Sequence, residues 1–148
     1  HLEARYNYED INTASVFAGK TWKKGGDLLL TLTPMAGVAF GNSNGFLPGL
    51  ECSASYSKIN FYSENEYMLD FKGKENYFFY SWTQLSANTF KNMQAGVLAQ
   101  TLRWHKTKFD IDRGIYAEYV LGKFTFDVYY FDLFTNYDFA VASLTFEF

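Results

Sequence analysis

The last ten residues, FAVASLTFEF (139–148), decide how this chain is read. Counting back by twos gives Phe148, Phe146, Leu144, Ala142 and Ala140, all apolar. Between them stand Glu147, Thr145, Ser143 and Val141, mostly polar. A period of two belongs to a β-strand whose two faces meet different surroundings. The strand ends on its apolar face, at an aromatic residue.

The same period recurs upstream. LEARYNYE (2–9) sets Leu2, Ala4, Tyr6 and Tyr8 against Glu3, Arg5, Asn7 and Glu9. GLECSASYS (49–57) sets Leu50, Cys52, Ala54 and Tyr56 against Glu51 and three serines. KFTFDVYY (123–130) sets Phe124, Phe126 and Val128 against Thr125, Asp127 and Tyr129, and GIYAEYVLG (114–122) sets Ala117, Tyr119 and Leu121 against Tyr116, Glu118 and Val120. In NYFFYSWTQ (76–84), Phe78, Tyr80 and Trp82 alternate with Tyr77, Phe79, Ser81 and Thr83. Nine turn signals separate the runs: EDIN (9–12), KKGGD (23–27), GNSNG (41–45), SYSK (55–58), KGKEN (72–76), SANTFKN (86–92), HKTK (105–108), LGK (121–123) and TNYD (135–138). Nine turns divide the chain into ten strands. About 15 residues then serve each strand and its turn, enough for a tilted membrane-crossing strand of roughly 9–11 residues. An eight-stranded arrangement is the alternative, and an even count suits a single-chain barrel. The least regular stretches are 59–71 and 92–105, where Gly96 and Gly114 are candidate bulges.

Composition narrows the class. The 148 residues are one domain's worth, 1–148, although strand pattern at residue 2 leaves room for residues upstream of His1. Aromatics make up 21% of the chain, yet no apolar run is long enough for a spanning helix. A net charge of -3, with acids and bases interspersed, offers no basic stripe for nucleic acid. The single Cys52 excludes an internal disulfide framework. The opening HLEARYNYED has neither the charged nor the apolar region of a signal peptide.

Alternation alone does not say which face meets lipid. Three features favour the membrane. Trp22, Tyr56, Trp82, Tyr119 and Phe148 lie near predicted strand ends, where an interfacial girdle requires aromatics. The opposite faces carry small polar and acidic residues, among them Ser53, Ser55, Ser81, Thr83, Ser143 and Thr145. The final strand ends on its own apolar face. This ending resembles the C-terminal signature of Gram-negative outer-membrane β-barrels. The resemblance implies that Phe148, Phe146 and Leu144 form the assembly signal read by the barrel-insertion machinery. LEARYNYED, FFYSW (78–82) and DIDRG (110–114) also look like small Bacteroidota-type barrels, a family without an agreed activity. The expected class is therefore an antiparallel transmembrane β-barrel of the bacterial outer membrane with short loops, ten-stranded by the turn count. Its partners would be outer-membrane lipid and the insertion machinery, with no nucleic acid.

If the apolar faces meet lipid, Glu3, Arg5, Glu51, Glu64, Glu66, Glu118 and Asp127 point into the lumen. Tyr77, Phe79 and Tyr129 do so by the same count. Narrow barrels fill their interiors with side chains, so a hydrated supporting network is the plain expectation. A cation-attracting passage is the functional one. Arg103 and Arg113 fall on the lipid face by strict alternation, which is costly at depth. They belong at the rim unless bulges turn them inward, and the adjacent Gly114 favours that for Arg113. His105, in a predicted loop, lacks a placed nucleophile, and no zinc-ligand spacing occurs. No cofactor, metal or catalytic set is expected. GKTWKKG (19–25) lacks the glycine–tryptophan spacing of soluble lipid carriers, so Trp22 reads as interfacial, with Lys20 able to snorkel beside it. Cys52, between Leu50 and Ala54, reads as a small hydrophobe. The function expected is structural or that of a narrow pore with a largely plugged, acid-lined lumen. A soluble β-barrel around an apolar ligand is the alternative, and an outer-membrane hydrolase ranks third.

Overall fold

The computed structural model describes residues 1–6 and 10–146. Eleven strand segments form a single antiparallel sheet. They are β1 (Leu2–Tyr6), β2 (Thr13–Gly19), β3 (Trp22–Lys24), β4 (Leu28–Gly41), β5 (Gly45–Tyr56), β6 (Ile59–Asp70), β7 (Phe78–Phe90), β8 (Met93–Trp104), β9 (Asp110–Leu121), β10 (Phe124–Phe131) and β11 (Phe139–Phe146). One 3-10 turn, Lys74–Asn76, lies between β6 and β7. Each strand pairs with its sequence neighbour, except that β2 and β3 both pair with β4. These two are one strand interrupted. Gly19 opposes Met35 and Trp22 opposes Leu32, an unbroken register. Between them stands Pro34, which has no N–H to give the ladder. Lys20 N–H still donates to the Pro34 carbonyl (3.2 Å). The ten strands expected are therefore present, and among the described residues every one of the nine turn signals spans a break between strands, Glu9 of EDIN lying outside them.

The connections are short throughout, none longer than seven residues, and within that range the two ends of the sheet differ. One end carries the two-residue turns 57–58, 91–92 and 122–123, together with the 25–27 turn. The other carries longer connections, 71–77 and 132–138 among them. The tight turns need left-handed backbone, and Ser57 (φ 55°), Asn92 (φ 61°) and Gly122 (φ 63°) supply it. The 59–71 and 92–105 stretches form regular strands. The sheet's register shift lies between Asn88 and Phe90, and none occurs at Gly96 or Gly114.

The sheet curls strongly. Arg5 on β1 reaches Glu66 on β6, four strands along the path (2.6 Å), and Trp82 on β7 meets the Phe131 ring on β10 (5.7 Å between centroids). Among the described residues no ladder joins β1 to β11. The concave face buries a core of Phe17, Met35, Ala39, Leu47, Met68, Phe78 and Tyr80, and Trp82 links it to a second group of Leu98, Tyr116 and Phe131. Phe17 lies against Gly37, where an added Cβ would stand only 2.5 Å from its ring, and Gly49 makes the same room for Met35. The convex face is largely apolar. Leu2, Val16, Leu32, Leu50, Phe61, Leu85, Val97, Ile115, Phe126 and Leu144, from ten different strands, are all exposed there.

Strand β7 faces the other way from the sequence expectation. Phe78, Tyr80 and Trp82 point inward, while Ser81, Thr83 and Phe79 point outward. Trp82 is therefore a core residue and not an interfacial one. Register explains it: Trp82 is opposite Glu64 and Tyr80 is opposite Glu66, and opposed residues share a face. Tyr77 precedes the strand, in the 71–77 connection, with its ring edge-on to Tyr67 on the convex side. The polar residues so placed outside satisfy one another. Ser63 and Thr83 hydroxyls are 3.0 Å apart, the Asn65 amide donates to Ser63 Oγ (3.0 Å), and Ser81 Oγ donates to Asn65 Oδ1 (2.9 Å).

Candidate functional site in the sheet interior

The inward residues of β1, β5 and β6 bring charge into the concavity. Arg5 is flanked by Glu3 two residues earlier on the same face, and strand pairing places Glu51 opposite Glu64. Arg5 donates from Nε to Glu3 Oε1 (2.7 Å), from Nη2 to Glu3 Oε2 (3.0 Å) and from Nη1 to Glu66 Oε1 (2.6 Å). Its Nη2 also lies 2.8 Å from Glu64 Oε1. The guanidinium sits over the Phe17 ring, 4.6 Å from its centroid. Tyr62 donates its hydroxyl to Glu64 Oε2 (3.0 Å) and lies 3.4 Å from Glu51 Oε1. Glu66 is fully buried, and its Oε2 has no hydrogen-bond donor among the described residues. Three carboxyls, Glu3, Glu64 and Glu66, thus share one guanidinium, and Glu51 stands beside them, 3.4 Å from the Tyr62 hydroxyl and 3.9 Å from His1 Nδ1. Such charges are tolerated in an interior only with partners, protons or water.

A second acidic group lies nearer the short-turn end. Glu118 and Asp127 are opposed on β9 and β10. Ser143 Oγ donates to Asp127 Oδ2 (2.7 Å), while Gln94 Oε1 accepts from Ser86 (3.0 Å) and sits 3.4 Å from the Asn60 amide. Here the interior opens into a polar basin of about 330 Å³ lined by Ser55, Asn60, Gln84, Ser86, Gln94 and Tyr116.

At the opposite end the concavity is stopped. The apolar core fills it, and the Phe78 and Trp104 rings close over one another (4.9 Å). The surrounding turns are tied together: Ser43 Oγ donates to Asp10 (2.8 Å), Asn42 Nδ2 to the Ile11 carbonyl (2.9 Å) and Lys72 Nζ to the Asn42 carbonyl (2.8 Å). Asp70 accepts from the backbone N–H groups of Asn44 (3.1 Å) and Lys72 (2.7 Å).

All seven residues expected in the interior, Glu3, Arg5, Glu51, Glu64, Glu66, Glu118 and Asp127, face the concavity, as does Tyr129. They divide into two groups rather than one lining. Arg113 does not turn inward. It is exposed on the convex side near the 132–138 connection, where its N–H donates to Asp132 Oδ1 (3.2 Å), because β9 runs past Gly114 without a bulge. Arg103 is also exposed near that end, over the Phe109 ring (4.5 Å). Trp22, Tyr56 and Tyr119 lie exposed towards the short-turn end. Leu144 and Phe146 are exposed on the convex face of β11, whereas Phe148 lies outside the described residues. Tyr67, Phe79 and Phe109 cluster around Arg103 near the other end, a second aromatic group that the sequence reading did not collect.

His105 lies in the turn after β8, its ring 6.5 Å from that of Tyr77 and apart from both acidic groups. His1, Glu3 and Glu51 offer metal-ligand atoms within 4.8 Å of one another, a grouping that linear spacing does not reveal. His1 Nε2 stands 3.2 Å from Glu3 Oε2, within hydrogen-bond reach. The interior can hold protons and cations, and bind polar groups from the short-turn side. No protein-family model, curated protein or solved structure matches this chain. The class defined on physical grounds is an all-β protein of one curled antiparallel sheet, apolar on its convex face and acid-bearing within.

Proposed function

We propose that the chain is an integral outer-membrane β-barrel with a structural or narrow-pore role, rather than an enzyme. One observation carries the reading: apolar residues cover the convex face on strand after strand, while Glu64, Glu66 and Asp127 are buried in the concave one. Soluble monomers rarely expose apolar area on that scale, whereas lipid requires it. Short turns at one end and longer connections at the other match the usual asymmetry of such barrels. In lipid the β1 and β11 edges must be hydrogen-bonded, so the reading includes closure of the sheet into a ten-stranded barrel. Its partners are membrane lipid and the insertion machinery. The apolar core stops metabolites. The acids beneath it favour water, protons and small cations. A soluble carrier has less support, because its apolar residues should face inward around the ligand.

Flotation tests this directly. Protein refolded with phospholipid vesicles should rise with them through a density gradient, resist extraction by alkaline carbonate, and aggregate when detergent and lipid are both withheld. A folded monomer in plain buffer that stays at the bottom of the gradient would contradict the proposal.

A further inference from the structure

We infer that the short-turn rim is a binding site for anionic phospholipid, with an acyl groove on the wall beneath it. This rests on the membrane reading above and adds a ligand to it. On the convex face of β3 to β6 lies an apolar groove of about 420 Å³, lined by Trp22, Leu30, Leu32, Cys52, Ala54 and Phe61. Strand pairing builds it: Trp22 opposes Leu32, Leu32 opposes Cys52, and Ala54 opposes Phe61. The small side chains of Cys52 and Ala54 form its floor between larger neighbours.

Charge supplies the second half of the argument. The turns 57–58, 91–92 and 122–123 each carry a lysine, Lys58, Lys91 and Lys123; Lys23 and Lys24 end β3 just before the 25–27 turn, and Lys20 stands in the break between β2 and β3. Among the described residues of these connections the one acid is Asp27. The opposite end has no such bias: Asp10, Asp70, Glu75, Asp110, Asp132 and Asp138 stand there beside its lysines and arginines. The groove lies under the densest part of the collar. Lys23 and Lys24 border it, and Lys20 Nζ sits 5.6 Å from the Trp22 ring centroid. A lysine held over an interfacial tryptophan keeps its ammonium at headgroup height. Apolar floor, aromatic edge and three ammonium groups above fit a lipid with a phosphate headgroup and no balancing cation. A phosphatidylcholine headgroup, whose own cation meets the lysines, fits worse.

The test uses the whole chain in phosphatidylcholine vesicles with a trace of spin-labelled phosphatidylglycerol or spin-labelled phosphatidylcholine. The readout is the motion-restricted fraction of each label. With roughly fivefold preference for each lysine near the surface as a guide, the glycerol lipid should be favoured at least fivefold. Lys20→Gln/Lys23→Gln/Lys24→Gln should bring the two labels close to parity. Lys72→Gln/Lys74→Gln, at the other end, should leave the preference in place. If the triple variant fails to fold, salt titration of the unaltered chain still decides, since screening should erase the preference. Inorganic phosphate should reduce it no more than chloride of equal ionic strength. Equal restriction of both labels, indifference to salt, or selective displacement by phosphate would overturn the inference. A chain that fails to float with the vesicles refutes the membrane reading instead, which separates the two failures.

Discussion

Arg5→Met should destabilise the folded protein by about 3–5 kcal/mol, the cost of removing one partner from a buried ionic cluster. Arg5 holds Glu3, Glu64 and Glu66 together, with hydrogen bonds of 2.6–3.0 Å to Glu3 and Glu66. Both Glu64 and Glu66 are nearly withdrawn from solvent. Without the guanidinium their charges are left in a poor dielectric. Adding Glu64→Gln and Glu66→Gln to Arg5→Met should recover most of the loss, because neutral amides are much cheaper to bury. Urea unfolding of the vesicle-inserted protein, followed by tryptophan fluorescence, measures all three variants. A loss below about 1 kcal/mol for Arg5→Met would show that water reaches the cluster freely, as for exposed pairs. Failure of the double glutamine replacement to rescue would show that Arg5 acts through its packing on Phe17 instead.

The second large effect concerns conduction. Planar-bilayer recordings should give a closed or nearly closed barrel, with no sugar or antibiotic flux and at most a small cation-preferring current. The apolar core from Phe17 to Tyr80 fills the end with the longer connections, and Trp104 lies tilted against Phe78 above it. Beneath the core, four carboxyls outnumber one guanidinium, so a permeating ion meets negative potential. Glu64→Gln with Glu66→Gln removes two of the four and should weaken any cation preference while the protein remains folded. Large, stable, unselective channels would refute the stopped interior. Anion preference would refute the electrostatic account.

The framework of this fold is unusually legible from the sequence, because period-two alternation and turn residues report directly on strand and break. Every turn signal found its place, and the facing of β1, β5, β9, β10 and β11 follows from alternation alone. The failure at β7 is informative. Equating apolar with outward puts Phe78, Tyr80 and Trp82 on the convex face. Pairing with β6 turns them inward, beside the glutamates whose facing had already been read correctly. A check of register between adjacent strands would have exposed that inconsistency. Arg113 departs from expectation for a related reason: a neighbouring glycine suggests a bulge, whereas Gly114 instead permits close approach to the Tyr130 carbonyl. The Arg5 cluster joins residues sixty-one apart in sequence, and only the curl of the sheet brings them together. The break at Pro34 was legible in principle, since proline cannot donate to a ladder.

The central claim is that the convex face meets lipid, and Cys52 reports on it most directly. This thiol is half-buried on that face and belongs to the chain's single cysteine. In folded, vesicle-inserted protein a charged, water-soluble maleimide should leave Cys52 unmodified, while a membrane-partitioning maleimide should modify it. Unfolding in urea should make both react. Rapid modification by the charged reagent in the folded, floated protein would put Cys52 in water and contradict the account.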